Sequence, residues 1–173
     1  MITTPIDFVM KQRFAKSKNG IDVYLDTEHS HALTHFAHHP KLVDAVKKVI
    51  TDLDITEDST RIEKEMDEVV GTTDLVETTE DDEIVYAMRP LRSIYSRFVK
   101  NKEPTPSKWI TVHIKKERGV YTLYTAFVGR STPSFPGGDF LPEQSKAFWS
   151  RHALVWGTQE IVPGSETDVC PWD

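Results

Sequence analysis

Apolar residues in the first half of the chain recur mainly at helical spacing. Leu42 and Val46 stand four residues apart after Pro40, a residue favoured in the first turn of a helix. The pattern therefore predicts an amphipathic helix over 40–53. A shorter helix is expected immediately before it, over 30–39.

Two further patterns complete the first half. Ile62 and Met66 continue the four-residue spacing and predict a third helix that ends at Gly71. The stretch 20–26, "GIDVYLD", alternates apolar and polar residues and predicts a strand. The acidic, Thr-rich stretch 72–83 is either a long loop or a short strand with a hairpin.

The second half has the period-two pattern of strands. A tight turn at Arg118-Gly119 joins the clearest pair into a hairpin. A loop rich in Pro and Gly follows over 131–138, and then a helix near Pro142 leads to a short strand at 154–156. The four predicted strands before that loop are 83–88, 93–100, 108–117 and 120–129.

Helices followed by antiparallel strands are typical of the α+β class. We therefore expect one α+β domain over residues 1–173, with N-terminal helices packed on a C-terminal antiparallel sheet. Its two halves would be a helical one, 1–83, and a strand-rich one, 84–173. A chain of 173 residues is long enough to bury a core of this kind.

Charge changes along the chain. Residues 1–83 contain 9 Lys and Arg against 19 Asp and Glu, whereas residues 84–130 contain 10 against 2. An acidic half joined to a basic segment indicates that the basic segment meets an anion, or that the two halves pair with each other. The net charge of −6 argues against a protein that coats nucleic acid non-specifically.

Composition favours a cytoplasmic protein. The first residues lack a basic segment followed by an apolar one, so we expect no signal peptide, and no apolar run is long enough to span a membrane. The single cysteine, Cys170, cannot form an internal disulfide. The phosphate-binding loop, the dinucleotide fingerprint, the GxSxG elbow and paired CxxC motifs are absent.

The strand "WITVHIKK" has one apolar and one mixed face. Alternation places His113 and Lys115 on the same side as Trp109, away from the apolar residues. An imidazole beside a cation and an aromatic ring can bind or process a phosphate ester. A solvated strand face is the alternative interpretation.

Arginines and aromatic residues cluster around the strands. Arg89, Arg92 and Arg97 lie in "RPLRSIYSR", and Arg130 closes the hairpin. The planar guanidinium group is a frequent partner of phosphate, so these residues indicate a surface that contacts nucleic acid. Salt bridges to the acidic half are the alternative. Trp149, in the predicted C-terminal helix, is either core or a platform for stacking a base.

Five histidines fall within "HSHALTHFAHH". His31 and His35 share a helical face and His38 or His39 could add a third ligand, which would suit zinc. No cysteine lies nearby and no carboxylate has the metalloprotease spacing. We therefore interpret the cluster as a polar helix surface and expect no metal and no cofactor; metal-dependent chemistry through His31, His35 and His38 is the alternative.

The segments "RPLRSIYSRF", "WITVHIKK" and "YTAFVG" together resemble the barnase/EndoU/colicin/RelE group. These are small RNases, many of them toxins, that cut RNA without a metal ion. The likeness covers about residues 84–156. The acidic helical half is not a typical part of a toxin domain, and a small family of phage or mobile-element proteins is the other placement.

The resemblance implies a mechanism. Metal-free RNA cleavage needs a base, an acid and cations that stabilise the charge of the phosphorane. Histidine suits the first two roles near neutral pH, and the second half contains only His113 and His152. The predicted catalytic residues are His113, His152 and Arg130. The predicted phosphate-binding or RNA-binding residues are Arg89, Arg92, Arg97, Lys115, Thr125, Ser131 and Trp149.

A non-catalytic module is the alternative function. In that interpretation the acidic helical half docks a protein partner, and the basic strands bind RNA or DNA without turnover.

Overall fold

The structure is a computed structural model that describes residues 11–137 and 141–172. The N-terminal segment, in which no signal peptide is expected, lies partly outside the described residues, as does Gly138 of the predicted Pro/Gly loop. The described chain forms two compact units: unit 1 comprises residues 1–72 and 106–131, and unit 2 comprises 73–105 and 132–173. No helix among the described residues is long and apolar enough to cross a membrane.

Strands predominate in both units. The strands are β1 (Lys11–Lys16), β2 (Asp22–Asp26), β3 (Ser59–Glu65), β4 (Gly71–Thr73), β5 (Leu75–Glu77), β6 (Ile84–Met88), β7 (Tyr95–Val99), β8 (Thr105–Ser107), β9 (Trp109–Glu117), β10 (Val120–Val128) and β11 (His152–Val155). The helices are α1 (Ala32–His38), α2 (Pro40–Thr51) and α3 (Glu143–Trp149).

The predicted fold class is wrong. Strands account for 38% of the structure and helices for 16%, so the protein is mostly β, and it has several sheets. The helices do not form an N-terminal layer on one C-terminal sheet. The strands of the first half, β1, β2 and β3, are the reason, because they belong to the same sheet as β9 and β10 of the second half.

The helix predicted to end at Gly71 is also wrong. Residues 59–65 form β3, which pairs antiparallel with β9 from Ser59↔Lys115 to Glu65↔Trp109. Ile62 and Met66 pack against the core of unit 1, so their apolar character was interpreted correctly and their period was not. Residues 59–65 adopt the strand period rather than the helical one because they pair with an edge of β9, and this pairing satisfies the backbone hydrogen-bonding groups of β3.

Unit 1 is a five-stranded sheet of order β1-β2-β10-β9-β3 with α1 and α2 packed beside it. All neighbours are antiparallel except β2 and β10, which pair in parallel over two residues. The amphipathic helix predicted from Pro40 is α2, and its apolar stripe is buried. Its Leu42, Val46 and Ile50 join Val112 and Ile114 of β9 in one core.

Unit 2 is built around a four-stranded sheet of order β5-β11-β7-β6. The outer pairs are antiparallel, and β11 runs parallel to β7. Its aromatic core contains Tyr86, Phe135, Trp149 and Trp172. Short strands β4 and β8 form a separate two-stranded sheet.

The charge difference between the sequence halves does not persist in the units. Unit 1 holds 14 Lys and Arg against 14 Asp and Glu, which leaves no net charge. Unit 2 holds 7 against 13, so it carries the whole net charge of −6. Basic character in unit 1 is therefore a local property of particular side chains.

Candidate functional site

The sheet of unit 1 has one face turned away from its core, which we call the polar sheet face. It is formed by alternate residues of three neighbouring strands, because the side chains of directly paired residues lie on the same side of a sheet. Its members are Ser59, Arg61 and Glu63 of β3; Trp109, Thr111, His113 and Lys115 of β9; and Thr122, Tyr124, Thr125 and Phe127 of β10.

His113 lies at the centre of this face. It is paired with Arg61 on one side and with Thr125 on the other. Its Nε2 is 3.0 Å from the Oγ of Ser59. Its Nδ1 is buried and has no hydrogen-bond partner in the structure. The imidazole is thus half-buried, with one ring nitrogen committed to a hydroxyl and the other enclosed.

The surroundings of His113 favour the neutral ring. Burial lowers the pKa of His113 below its ordinary value, and the nearby positive charges of Arg61 and Lys115 lower it further. At neutral pH the ring is therefore uncharged and able to accept a proton.

Tyr124 adds an aromatic surface next to His113. A bulge in β10 between Leu123 and Thr125 displaces Tyr124 from the regular register. Its ring centroid is 5.2 Å from that of His113, in an edge-to-face arrangement. The ammonium of Lys115 lies 3.9 Å from the same centroid, within the range of a cation–π contact.

Arg130 and Ser131 border the polar sheet face but are already engaged. Arg130 donates from Nε to Glu63 at 2.9 Å, and its guanidinium lies 4.3 Å from the ring centroid of Trp109. Ser131 accepts a hydrogen bond of 2.9 Å from Nε of Arg61. Arg130 is therefore a charge partner of a carboxylate, and Arg61 is the guanidinium closer to His113.

Five predicted residues thus lie together in unit 1. They are His113, Lys115, Thr125, Arg130 and Ser131. The other five, which are His152, Arg89, Arg92, Arg97 and Trp149, belong to unit 2.

In unit 2 the structure gives several of these residues intramolecular partners. His152 bonds through Nδ1 to the carbonyl of Phe148 at 2.9 Å and stacks on that ring at 4.0 Å. Trp149 is 1% exposed and donates to the carbonyl of Pro133. Both therefore serve the packing of unit 2.

The arginines of unit 2 differ in exposure. Arg97 is 8% exposed and donates to Tyr86, Thr78 and the carbonyl of His152. Arg89 is half-buried and donates to Ser96 and Gln159. Burial, and then the charge of Arg92, lower the pKa of Arg89 to about 10. Arg92 itself is exposed.

Sequence reasoning missed Ser59, Arg61 and Tyr124. Ser59 and Arg61 fall in the segment predicted as a helix. The sequence "STRIEKE" also alternates, and a strand there would place Arg61 and Ile62 on opposite faces of the sheet. The structure also describes a cavity of about 240 Å³ lined by residues of α2 and β3, including Lys48 and Lys64. That cavity is on the core side of the sheet, not on the polar sheet face.

The predicted helix surface at His29–His39 is only partly solvated. His31 and His35 lie beside Tyr124 and Phe127, and Nδ1 of His38 bonds to the carbonyl of Thr34. Over residues 11–137 and 141–172, no group of three or more His, Cys, Asp or Glu side chains is placed to hold a metal ion.

Comparisons of the chain with protein-family models, with curated proteins and with solved structures found no match. The resemblance to metal-independent RNases therefore remains a prediction, as do the expected location and partners.

Proposed function

We propose that unit 1 binds RNA on the polar sheet face and cleaves it without a metal ion. The observation that carries the proposal is the position of the His113 imidazole, 3.0 Å from the Ser59 hydroxyl and on the same sheet face as Arg61 and Lys115. A base next to two cations is the arrangement that cleavage of a phosphodiester by its own 2′-hydroxyl requires.

His113 acts as the base in this proposal. Its Nε2 contacts a hydroxyl in the structure, and the 2′-OH of a bound ribose can replace that hydroxyl at a similar distance. The lowered pKa keeps the ring neutral at neutral pH, and in the proposed tautomer the ring proton is on Nδ1, which leaves Nε2 free to accept a proton. The 2′-oxygen then attacks the adjacent phosphorus, the bond from phosphorus to O5′ breaks, and the products are a 2′,3′-cyclic phosphate and, once O5′ takes up a proton, a 5′-hydroxyl.

Arg61 and Lys115 supply the positive charge. Arg61 is paired with His113 across β3 and β9, and Lys115 lies two residues further along β9 on the same face, so both lie beside the base in this proposal. Arg61 uses its Nε for Ser131 and forms no salt bridge with a carboxylate of residues 11–137 or 141–172. The guanidinium fork can therefore bind phosphate oxygens.

Aromatic rings on the same face suit a single strand. Tyr124 is 36% exposed, and Trp109 is partly exposed beneath Arg130. Each ring can stack a base, and such stacking contributes about 1–3 kcal/mol per base. The substrate is therefore single-stranded RNA, because only unpaired bases are free to stack.

The contact between Ser59 and His113 also favours a second candidate, in which Ser59 is a nucleophile activated by His113. A nucleophile and its base usually lie within hydrogen-bond reach, as these do. However, the base in such a dyad is normally oriented by a third group, and Nδ1 of His113 has no partner. The Ser59→Ala variant distinguishes these candidates. It should still cleave RNA if His113 is the base for the 2′-hydroxyl, and it should lose cleavage if Ser59 is the nucleophile.

The test is incubation of purified protein with a mixed-sequence, single-stranded RNA in the presence of EDTA. We expect fragments that end in 2′,3′-cyclic phosphate, and a loss of at least about 10²-fold for His113→Ala, the usual scale of acid–base catalysis. The matched control is His152→Ala in unit 2, for which we expect wild-type cleavage. Circular dichroism of both variants checks that they are folded.

Two outcomes would contradict cleavage. RNA that stays intact at high protein concentration excludes catalysis, and equal losses for His113→Ala and His152→Ala exclude a specific base in unit 1. If intact RNA is nevertheless bound, with an affinity that falls steeply with salt, unit 1 is the non-catalytic binding module instead.

A further inference from the structure

A second histidine lies beside the ring that His113 contacts. The ring centroid of His31 is 5.4 Å from that of Tyr124, in a tilted arrangement, and the ring centroid of His113 is 5.2 Å from it. His31 lies in the segment between β2 and α1, 82 residues before His113 in the sequence. Two imidazoles therefore border one exposed tyrosine on unit 1.

The turn that carries His31 is held in place. Asp26 accepts hydrogen bonds from the backbone N–H groups of Glu28 and His29 at 3.0 and 2.9 Å. The hydroxyl of Ser30 then donates to the carbonyl of Leu123 at 3.2 Å, which ties the turn to β10 next to Tyr124. The position of His31 relative to Tyr124 thus follows from backbone contacts on both sides of the turn.

The two rings differ in their surroundings. His113 is half-buried, with Ser59, Arg61 and Lys115 around it, whereas His31 is exposed and can exchange protons with water. Cleavage of RNA needs two proton transfers, one from the 2′-hydroxyl and one to the departing 5′-oxygen. A base alone completes only the first, and an exposed imidazole nearby can complete the second.

We propose that His31 is the general acid that protonates the leaving 5′-oxygen, an inference that rests on the ribonuclease function proposed above. The 2′-OH gives its proton to Nε2 of His113 as the bond from O2′ to phosphorus forms. The bond from phosphorus to O5′ breaks, and O5′ takes a proton from the His31 ring. The products are a 2′,3′-cyclic phosphate and a free 5′-hydroxyl. Water then hydrolyses the cyclic ester, and the two rings recover their original protonation states.

His31 thereby replaces His152 as the partner of His113. His152 belongs to unit 2 and is used there in stacking on Phe148. The sequence contains His31 within a run of five histidines, where helical spacing suggested a metal ligand. In the structure the ring of His31 contacts Tyr124, whereas His38, at the other end of α1, bonds to the carbonyl of Thr34 in its own helix.

The test compares two substrates that differ only in the leaving group. One is a dinucleotide with the base preferred at the cut site, and the other is the 4-nitrophenyl ester of the same 3′-nucleotide. Nitrophenolate departs without a proton, so only the dinucleotide needs a general acid. For His31→Ala we expect a loss of about 10²-fold in kcat/KM on the dinucleotide and a rate within a few-fold of wild type on the ester.

Two variants make the result specific. His113→Ala should lose about 10²-fold on both substrates, because the base is needed for each. His38→Ala, an exposed histidine on α1, should cleave both at the wild-type rate. His31→Gln keeps a polar side chain of similar size and should reproduce the split seen for His31→Ala, which excludes a purely structural role.

The outcomes distinguish a failure of the ribonuclease function from a failure of the role proposed for His31. If wild-type protein turns over neither substrate, the ribonuclease function fails and the acid with it. If wild type is active and His31→Ala loses activity equally on both substrates, or on neither, the ribonuclease function stands and the role of His31 is wrong.

Discussion

His113 of unit 1 and His152 of unit 2 carry the same ring but have different partners. His152 is engaged on several sides: Nδ1 bonds to Phe148, the ring stacks on Phe148, and the carbonyl accepts from Arg97. His113 has a serine hydroxyl at one ring nitrogen, no hydrogen-bond partner at the other, and an edge-to-face contact with Tyr124. Residue type therefore does not distinguish a site from a core, whereas the partners of each side chain do.

The tryptophans show the same difference between the units. Trp149 is 1% exposed, stacks on Phe135 with centroids 3.8 Å apart, and donates its N–H to a carbonyl. Trp109 is partly exposed, and Arg130 lies over its ring. Unit 2 buries the Trp149 indole in its core, whereas unit 1 keeps the Trp109 indole partly exposed beneath a guanidinium at the polar sheet face.

Alanine substitution of Trp149 and of Trp109 should give the largest difference between the two units. Trp149→Ala should lower the free energy of unfolding of unit 2 by about 3–5 kcal/mol, because it removes a fully buried indole and leaves a cavity. Trp109→Ala should cost far less stability but should weaken the binding of single-stranded RNA by about 1–3 kcal/mol. Hydrogen exchange of the β7 and β11 amides measures the first effect, and fluorescence anisotropy with labelled RNA measures the second.

Each variant is the control for the other. RNA affinity should be unchanged in Trp149→Ala under conditions where the protein stays folded. A loss of RNA affinity in Trp149→Ala equal to that in Trp109→Ala would show that RNA binding is not a property of the polar sheet face. Little change of exchange in β7 and β11 would contradict the packing role of Trp149.

Strong local patterns predicted several elements near their observed bounds. The hairpin of β9 and β10 was predicted almost to the residue, because β9 alternates and the turn at Arg118-Gly119 marks the boundary between the two strands. The helix α2 was predicted because Pro40 and a complete apolar stripe mark it. The local sequence specifies the secondary structure of both elements, so contacts with distant residues did not alter it.

Elements that depend on a distant partner could not be predicted. The segment "STRIEKE" fits either period, and only the free edge of β9, about 50 residues later, makes it a strand. For the same reason Arg61 was not placed opposite His113. The charge difference between the sequence halves was also misleading, because β3 and β9 bring acidic and basic segments into one unit that carries no net charge.

A pair of lysines tests whether the polar sheet face, rather than the charge of unit 1, attracts RNA. Lys115→Gln should weaken RNA binding several-fold and reduce the slope of log affinity against log salt by about 0.7, the value for one phosphate contact on a single strand. Lys48→Gln is the matched control, because Lys48 lies beside the cavity on the core side of the sheet and approaches Asp67 at 3.8 Å. Affinity should be unchanged in that variant.

The two lysine variants also distinguish local from general attraction. Equal losses of affinity and equal changes of slope would mean that RNA responds only to the total charge of unit 1. A wild-type slope in Lys115→Gln would place the phosphates away from β9.

The smallest expected effect is a shift in the titration of His113. Burial lowers its pKa below 6.5, and Arg61 and Lys115 lower it further, so Arg61→Gln should raise this pKa toward the ordinary value. The measurement is the pH dependence of the His113 ring resonances by NMR. Arg13→Gln is the control, because Arg13 lies on β1 and pairs with Asp22 at 3.7 Å.

The same shift determines how stability depends on pH. Below pH 6.5 the unfolded chain protonates this histidine while folded His113 resists, so unfolding takes up protons and the folded state loses stability as pH falls. The contribution is fully present above pH 6.5 and is lost toward the lowered pKa. Arg61→Gln should therefore lose less stability between neutral and acidic pH than wild type does. A His113 pKa that stays unchanged or falls in Arg61→Gln would mean that Arg61 does not act on this ring, and a cation for the scissile phosphate would then have to be sought in Lys115 alone.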